Sequence, residues 1–229
     1  RTLDDTRRLL ERAGPGVKAV VVGGGLLGLE AARGLQVRGC AVSLVHLMPT
    51  LMERQLDPDG GNYLAGKMED LGIRVLLGRT TTAVVGNGRA EGVALEDGTI
   101  LDADLVVVAA GIRPNVDLAY KAGLRVNRGI VVNDQMETSH PDIFAVGECV
   151  EHRGVCYGLV APLFEQGRVL AATITGNKGP VYTGSVQATT LKIMGVDVFS
   201  AGDWSEQNAE PVRYEDRALG VYKKLTLRD

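Results

Sequence analysis

Gly23, Gly25 and Gly28 stand in G-x-G-x-x-G spacing, with Leu26 and Leu27 between the second and third glycines. Each glycine answers a different demand when a chain must hold a pyrophosphate. The first permits a tight turn, the second lets the backbone come close to the phosphates, and the third lets a helix pack tightly on its strand. A helix that begins there aims the free N–H groups of its first turn at the anion. In a bare loop the same spacing would mark only a flexible turn. Here it follows the apolar, β-branched run VKAVVV at 17–22 and opens LLGLEAARGLQVR at 26–38, which Gly39 stops. AVSLVH at 41–46 then completes strand, helix and parallel strand. That setting predicts binding of a dinucleotide, NAD or NADP.

An acidic residue usually ends the second strand of such a unit and holds the adenosine ribose. His46 occupies that position. A carboxylate there would repel a 2′-phosphate, so its absence removes one barrier to NADP, while an imidazole can hydrogen-bond a hydroxyl or a phosphate. Arg54, on the following loop, is a candidate partner for a phosphate. The other reading of His46 is a surface residue at a strand end, and the choice between NAD and NADP stays open. Glu30, two residues past the third glycine, has the alternative of being a solvated helix carboxylate.

The elements that must position these residues follow from the pattern around them. DDTRRLLERA at 4–13 reads as a short connecting helix closed by Gly14-Pro15-Gly16. NYLAGKMEDL at 62–71 predicts a helix with Gly72 past its end, and IRVLL at 73–77 a further strand. Turn signals at Gly86-Asn87-Gly88 and Asp97-Gly98 predict a three-stranded antiparallel meander, after which LVVVAA at 105–110 rejoins the parallel sheet. Beyond Arg113-Pro114-Asn115 come an extended GIVVND at 129–134, a second buried run IFAV at 143–146 and a helix from about Ala161 to Thr175. Past a boundary near 180, TTLKIMGVDVFSA and ALGVYKKLTLR alternate like antiparallel strands separated by a polar loop, DWSEQNAEPVRYED. The expected fold class is α/β, a Rossmann-like parallel sheet with an antiparallel β-meander.

A net charge of −3 offers no basic field to nucleic acid or an anionic membrane, and 45% hydrophobic content suffices for a soluble packed core. No apolar run approaches the ~18 residues of a membrane span. Cytoplasm is the expected compartment. Cys40, Cys149 and Cys156 form no C-x-x-C pair, which argues against a disulfide framework or a four-thiolate metal site and predicts buried, inert thiols. His46, His140 and His152 are scattered, and no metal ligand set is expected. The chain opens on Arg1 without an apolar leader, so no signal peptide is expected and the chain is expected to begin inside a larger protein.

Three separated motifs resemble the two-dinucleotide-domain flavoprotein reductases, the pyridine nucleotide-disulfide oxidoreductase superfamily. VVVGGGLLGLEAA at 20–32 is similar to its NAD(P)H loop, and the resemblance implies that Glu30 lies near the nicotinamide. VVVAAGIRPN at 106–115 is similar to its A-T-G-x-R-P-N turn, with Ala110 in the Thr position and Gly111 letting the chain pass close to the nucleotides. TSHPDIFAVGECV at 138–150 is similar to its late flavin motif, a buried strand ending in Gly-Asp. Gly147 fits that motif, and Glu148 stands for the Asp whose carboxylate takes the flavin ribityl hydroxyls. The helix near Ala161 resembles the one whose N-terminal end faces the flavin pyrimidine.

HLMPTLMERQLD at 46–57, NRGIVVNDQMETSHPDIFAVGECVEHRG at 127–154, YGLVAPLFEQG at 157–167 and LKIMGVDVFSAGD at 191–203 further resemble the family of assimilatory NAD(P)H-dependent nitrite reductase large subunits. The resemblance implies a connector at 1–15, an NAD(P)-binding domain at 16–115, the C-terminal part of an FAD-binding domain at 116–179 and the start of a small α+β domain at 180–229. It implies hydride transfer from NAD(P)H to FAD, then electron flow through iron–sulfur centres to a sirohaem that reduces nitrite to ammonia. Cluster and sirohaem ligands are expected outside this segment, with the remaining domains of the same polypeptide or a redox partner subunit as partners. A first FAD loop is expected ahead of Arg1, so the chain alone is expected to be inactive and to bind FAD poorly or not at all. Because the cofactors carry the hydride chemistry, no catalytic acid or base is expected. A reductase feeding a ferredoxin- or rubredoxin-like carrier, and a nucleotide-binding redox sensor without turnover, are the alternatives.

Overall fold

The computed structural model describes residues 2–227 except residues 178, 194 and 208, and of residue 192 the backbone only. They form two compact units, residues 1–111 together with 189–229, and residues 112–188.

In the first unit, α1 (Leu3–Arg12) starts at a capping box. The Thr2 hydroxyl accepts from the Asp5 N–H at 3.1 Å and the Asp5 carboxylate accepts from the Thr2 N–H at 2.9 Å. Then come β1 (Lys18–Val22), α2 (Leu26–Val37), β2 (Ala41–Val45), α3 (Pro58–Asp70) and β3 (Arg74–Leu76). The antiparallel β4 (Thr81–Val85), β5 (Gly92–Leu95) and β6 (Ile100–Asp102) form the expected meander, and β7 (Leu105–Val108) returns to the parallel sheet, whose order is β3-β2-β1-β7. From Ala19 onward β1 is apolar because both of its faces are covered, while Lys18 at its start is exposed. Ala19 and Val21 enter one core with Leu29, Leu44 and Met68, while Val20 joins Val45, Val93, Leu95 and Leu101 beneath the meander. The side chains of Leu29, Leu44, Leu51, Met52, Met68 and Ile73 are all under 2% exposed. Each such burial contributes about 1.5–3 kcal/mol relative to exposure.

α3 begins four residues before the expected position, because Asp57 caps it through Gly60 N–H at 2.9 Å and Pro58 fits the first turn. β7 stops at Val108, short of the expected Ala110.

The second unit holds α4 (Asp117–Lys121), β8 (Ile130–Val132), β9 (Val150–His152) and α5 (Val160–Ile174) around Val132, Met136, Val150, Tyr157, Val169 and Tyr182. The expected buried strand at 143–146 is corrected. Those residues are half-buried, and Phe144 forms only an isolated bridge with Glu137. Their backbone is spent locally, Thr138 N–H on Ile143 O and Ala145 N–H on Met136 O. The strand that pairs with β8 comes after Gly147 and Glu148.

The chain then returns to the first unit as two hairpins, β10 (Ala188–Ile193) with β11 (Val196–Ala201) and β12 (Glu210–Asp216) with β13 (Val221–Leu227). Leu191, Ile193 and Val196 enter the main core, which is why residues 189–229 group with it despite the boundary expected near 180. The second half of the expected polar loop is strand β12, which pairs seven residues with β13. Its side chains are mostly exposed, so it carries no apolar alternation to read. Met194, Asn208 and Arg228, which the expected strands and loop include, lie outside the described residues. No helix among the described residues is long and apolar enough to cross a membrane.

Candidate functional site

The end of β1 and the start of α2 place the three motif glycines in three environments. Gly23 has φ +119 and donates its N–H to Val45 O at 2.8 Å; a β-carbon there would collide with Ala109 O. Gly28 faces back onto the turn, where a β-carbon would strike the Gly23 carbonyl oxygen and lie 3.6 Å from Ala109 Cβ. Gly25 is the opposite case: a β-carbon there would meet nothing within 4 Å. As N-cap of α2 it offers no side-chain cap, so the first-turn N–H groups have no intrahelical partner. One close-packed turn, one close-packed helix and one open face at an uncapped helix start form a cradle with the geometry and the donors that suit an anion at Gly25.

Leu26 is half-buried against the core, Leu27 is 68% exposed, and Glu30 is exposed on the next turn. Ala110 and Gly111, the latter at φ +96, are exposed where the chain leaves β7, next to the glycine turn through Ala109.

His46 is no surface residue. It is 9% exposed, and both ring nitrogens are engaged. Nδ1 accepts from the Gly24 N–H at 3.0 Å, and Nε2 lies 3.0 Å from Glu53 Oε2. A backbone N–H only donates, so the ring proton sits on Nε2 and is donated to Glu53. The ring packs under Gly24, where a β-carbon would lie 2.7 Å from His46 Cγ. Met52, fully buried and at φ +52, donates its N–H to Gly24 O at 3.1 Å. The loop after β2 is thereby tied to the glycine turn at both backbone groups of Gly24. Arg54 is exposed and has no ion-pair partner among the described residues.

Gly24, Met52 and Glu53 were not legible as site residues. Gly24 is not part of the motif spacing, and a carboxylate is sought at the end of β2 rather than seven positions later.

In the second unit, Gly147 has φ +105, donates its N–H to the fully buried Gln166 Oε1 at 3.2 Å, and leaves open space where a β-carbon would stand. Glu148 beside it is exposed. α5 starts at Leu159 with no side-chain cap. Of the thiols, only Cys40 is buried, whereas Cys149 and Cys156 are half-buried, which corrects the expectation of three buried cysteines. Burial pushes the Cys156 thiol up, and the charge of Glu151 adds to it, which keeps the thiolate scarce.

A family model described as pyridine nucleotide-disulphide oxidoreductase matches residues 1–172, and one described as rubredoxin NAD+ reductase C-terminal domain matches residues 188–229. The chain is 52% identical over 229 residues to a nitrite reductase [NAD(P)H] of Bacillus subtilis, covering 100% of this chain and 28% of that protein. It is 46% identical to the assimilatory nitrate reductase electron transfer subunit of the same organism, covering 100% of this chain and 30% of that one. The chain thus spans under a third of these curated relatives. Among solved structures, a ferredoxin reductase of Rhodopseudomonas palustris superposes with TM-score 0.87 at 31% identity, covering 100% of this chain and 57% of that one. The covalent putidaredoxin reductase–putidaredoxin complex gives TM-score 0.88 at 27% identity, covering 100% and 56%.

Proposed function

Since the chain belongs to the pyridine nucleotide-disulphide oxidoreductase family, we propose that it is the NAD(P)H-binding electron-input part of a flavoprotein reductase. The observation that carries this reading is the open face at Gly25 between two close-packed glycines, at the uncapped start of α2. The cradle holds the pyrophosphate on backbone N–H groups, and Glu30, Ala110 and Gly111 line the way toward the nicotinamide. FAD fits the second unit at its ribityl end: Gly147 leaves room for a close approach, Glu148 supplies an acceptor, and the uncapped N-terminus of α5 favours the electron-rich pyrimidine edge. When bound, the flavin supplies the hydride acceptor, and the residues of this chain bind, orient and exclude water.

For the whole protein we propose nitrite reduction to ammonia in the cytoplasm. Support comes from the 52% identity to the Bacillus subtilis nitrite reductase over the full chain. Iron–sulfur and sirohaem groups would be held by other domains of the same polypeptide or by a partner subunit. The division into connector 1–15, NAD(P) domain 16–115, flavin part 116–179 and C-terminal part 180–229 belongs to the same proposal. A reductase that feeds a rubredoxin-like carrier is the second reading, favoured by the match of residues 188–229 to a rubredoxin reductase C-terminal domain.

Gly25→Val tests the site. With open space for a β-carbon and an extended φ of −86, the substitution is expected to keep the fold and to lower the melting temperature by only a few degrees, the effect of valine at a helix N-cap. It is expected to weaken NADH binding by about a hundredfold or more, since the new side chain fills the place of the phosphates. Unaltered nucleotide affinity in calorimetric titration would sink the reading.

A further inference from the structure

The position that usually carries the ribose-binding carboxylate is His46, and its ring has nothing left to offer a nucleotide. Nδ1 is held by the Gly24 N–H and Nε2 by Glu53. A ribose hydroxyl or a phosphate could engage this imidazole only by freeing the glycine turn or Glu53. The carboxylate itself is present one loop later. Leu51 and Met52 are both 0% exposed, and Met52 N–H is anchored on Gly24 O at 3.1 Å. This folds the loop back against the end of β2 and sets Glu53 beside it. The Glu53 side chain is 31% exposed, and among the described residues His46 is its one partner, bonded through Oε2. Oε1 is therefore available to accept.

We infer that Glu53, held in place by His46, reads the adenosine ribose and selects NADH against NADPH; the inference rests on the proposed nucleotide site. A carboxylate accepts from the 2′ and 3′ hydroxyls and meets a 2′-phosphate with like charge. Exposed Arg54 is the one opposing feature of the loop. It would have to immobilise a long side chain next to a carboxylate that offsets its field.

Calorimetric titration of the 229-residue chain with NADH and with NADPH tests this. The wild type is expected to prefer NADH by about tenfold to a hundredfold. Glu53→Gln keeps an oxygen for the His46 Nε2–H but loses the charge. It is expected to bind NADH more weakly and NADPH more tightly, movements in opposite directions that a merely structural role would not produce. His46→Ala is expected to lower the NADH-to-NADPH ratio, and His46→Gln, which keeps a donor and an acceptor, to retain part of it. A ratio unmoved by Glu53→Gln overturns the inference while leaving the nucleotide site intact. So does a wild-type preference for NADPH that Arg54→Ala removes. Failure of the wild type to bind either nucleotide overturns the site and the inference together.

Discussion

Gly28→Ala is expected to abolish nucleotide binding and to destabilise the first unit, whereas Gly34→Ala in the same helix is expected to stabilise it. Both positions lie in α2, and what separates them energetically is what a methyl group would meet. At Gly28 it would meet the carbonyl oxygen of Gly23, with the carbonyl carbon at 2.9 Å. Those are backbone atoms that cannot rotate away, and Gly23 is itself boxed in by Ala109 and fixed by its bond to Val45 O. Relief requires α2 to lift from β1 or the turn to open, which costs about 1–3 kcal/mol or more by analogy with overpacked cores. Either movement displaces the N–H groups of the cradle. Gly34 is exposed and has nothing within 4 Å, so alanine there gains about 1 kcal/mol of helix propensity. Denaturant unfolding and NADH titration of both variants check the pair. A Gly28→Ala protein with wild-type stability and affinity would show that helix and turn are not locked as described.

The same contrast explains what the sequence could and could not disclose. The three motif glycines were readable because each occupies a fixed spacing between a β-branched run and a helix, and local pattern decides that. The meander was readable from its glycine turns. What escaped depends on contacts between distant residues. The tie between His46 and Gly24 spans 22 positions, and no periodicity signals that a ring nitrogen will accept from a backbone N–H. Glu53 matters only because the loop folds back on buried Leu51 and Met52. The misplaced strand at 143–146 has the same origin: IFAV is apolar enough for a strand, but its hydrogen bonds go to residues 136 and 138 in a local turn. β12 erred in the other direction, because a hairpin with little buried surface shows charged residues where a strand normally shows alternation.

That hairpin is held by polar contacts, and Lys224→Met is expected to release it. A two-stranded hairpin is marginal alone, and among the described residues β12 and β13 place no side chain in the buried cores. The attachment runs instead through α3, where the Tyr63 hydroxyl donates to Glu215 Oε1 at 2.6 Å, and chiefly through its cap, Asp57. Its Oδ2 accepts from Lys224 Nζ at 2.9 Å and from the Tyr222 hydroxyl at 2.7 Å, and Lys224 Nζ also lies 2.8 Å from Glu206. Tyr222 stacks on Tyr63 at 5.5 Å between ring centroids. The Asp57 and Lys224 side chains are 6% and 7% exposed, so removing the cation strands a buried carboxylate, at a cost of about 3–5 kcal/mol. Hydrogen exchange should therefore accelerate across residues 210–227, while β10 and β11, anchored by Leu191, Ile193 and Val196, stay protected. Asp57→Asn added to Lys224→Met should recover part of the loss, since the amide oxygen can still cap Gly60. Burial pushes the Asp57 carboxyl up, but Lys224, Tyr222 and the Gly60 N–H outweigh it and hold it below its ordinary value. Burial lowers Lys224, but Glu206 and Asp57 raise it further. The depressed carboxylate contributes stability above its unfolded pKa of about 4, lost as pH falls through the lower folded value; the raised lysine contributes below its unfolded value of about 10.4, lost as pH rises through the folded one. The hairpin should stay docked between those limits and loosen beyond either of them, and β12 amides as protected in Lys224→Met as in wild type would show that something other than this ion cluster holds it.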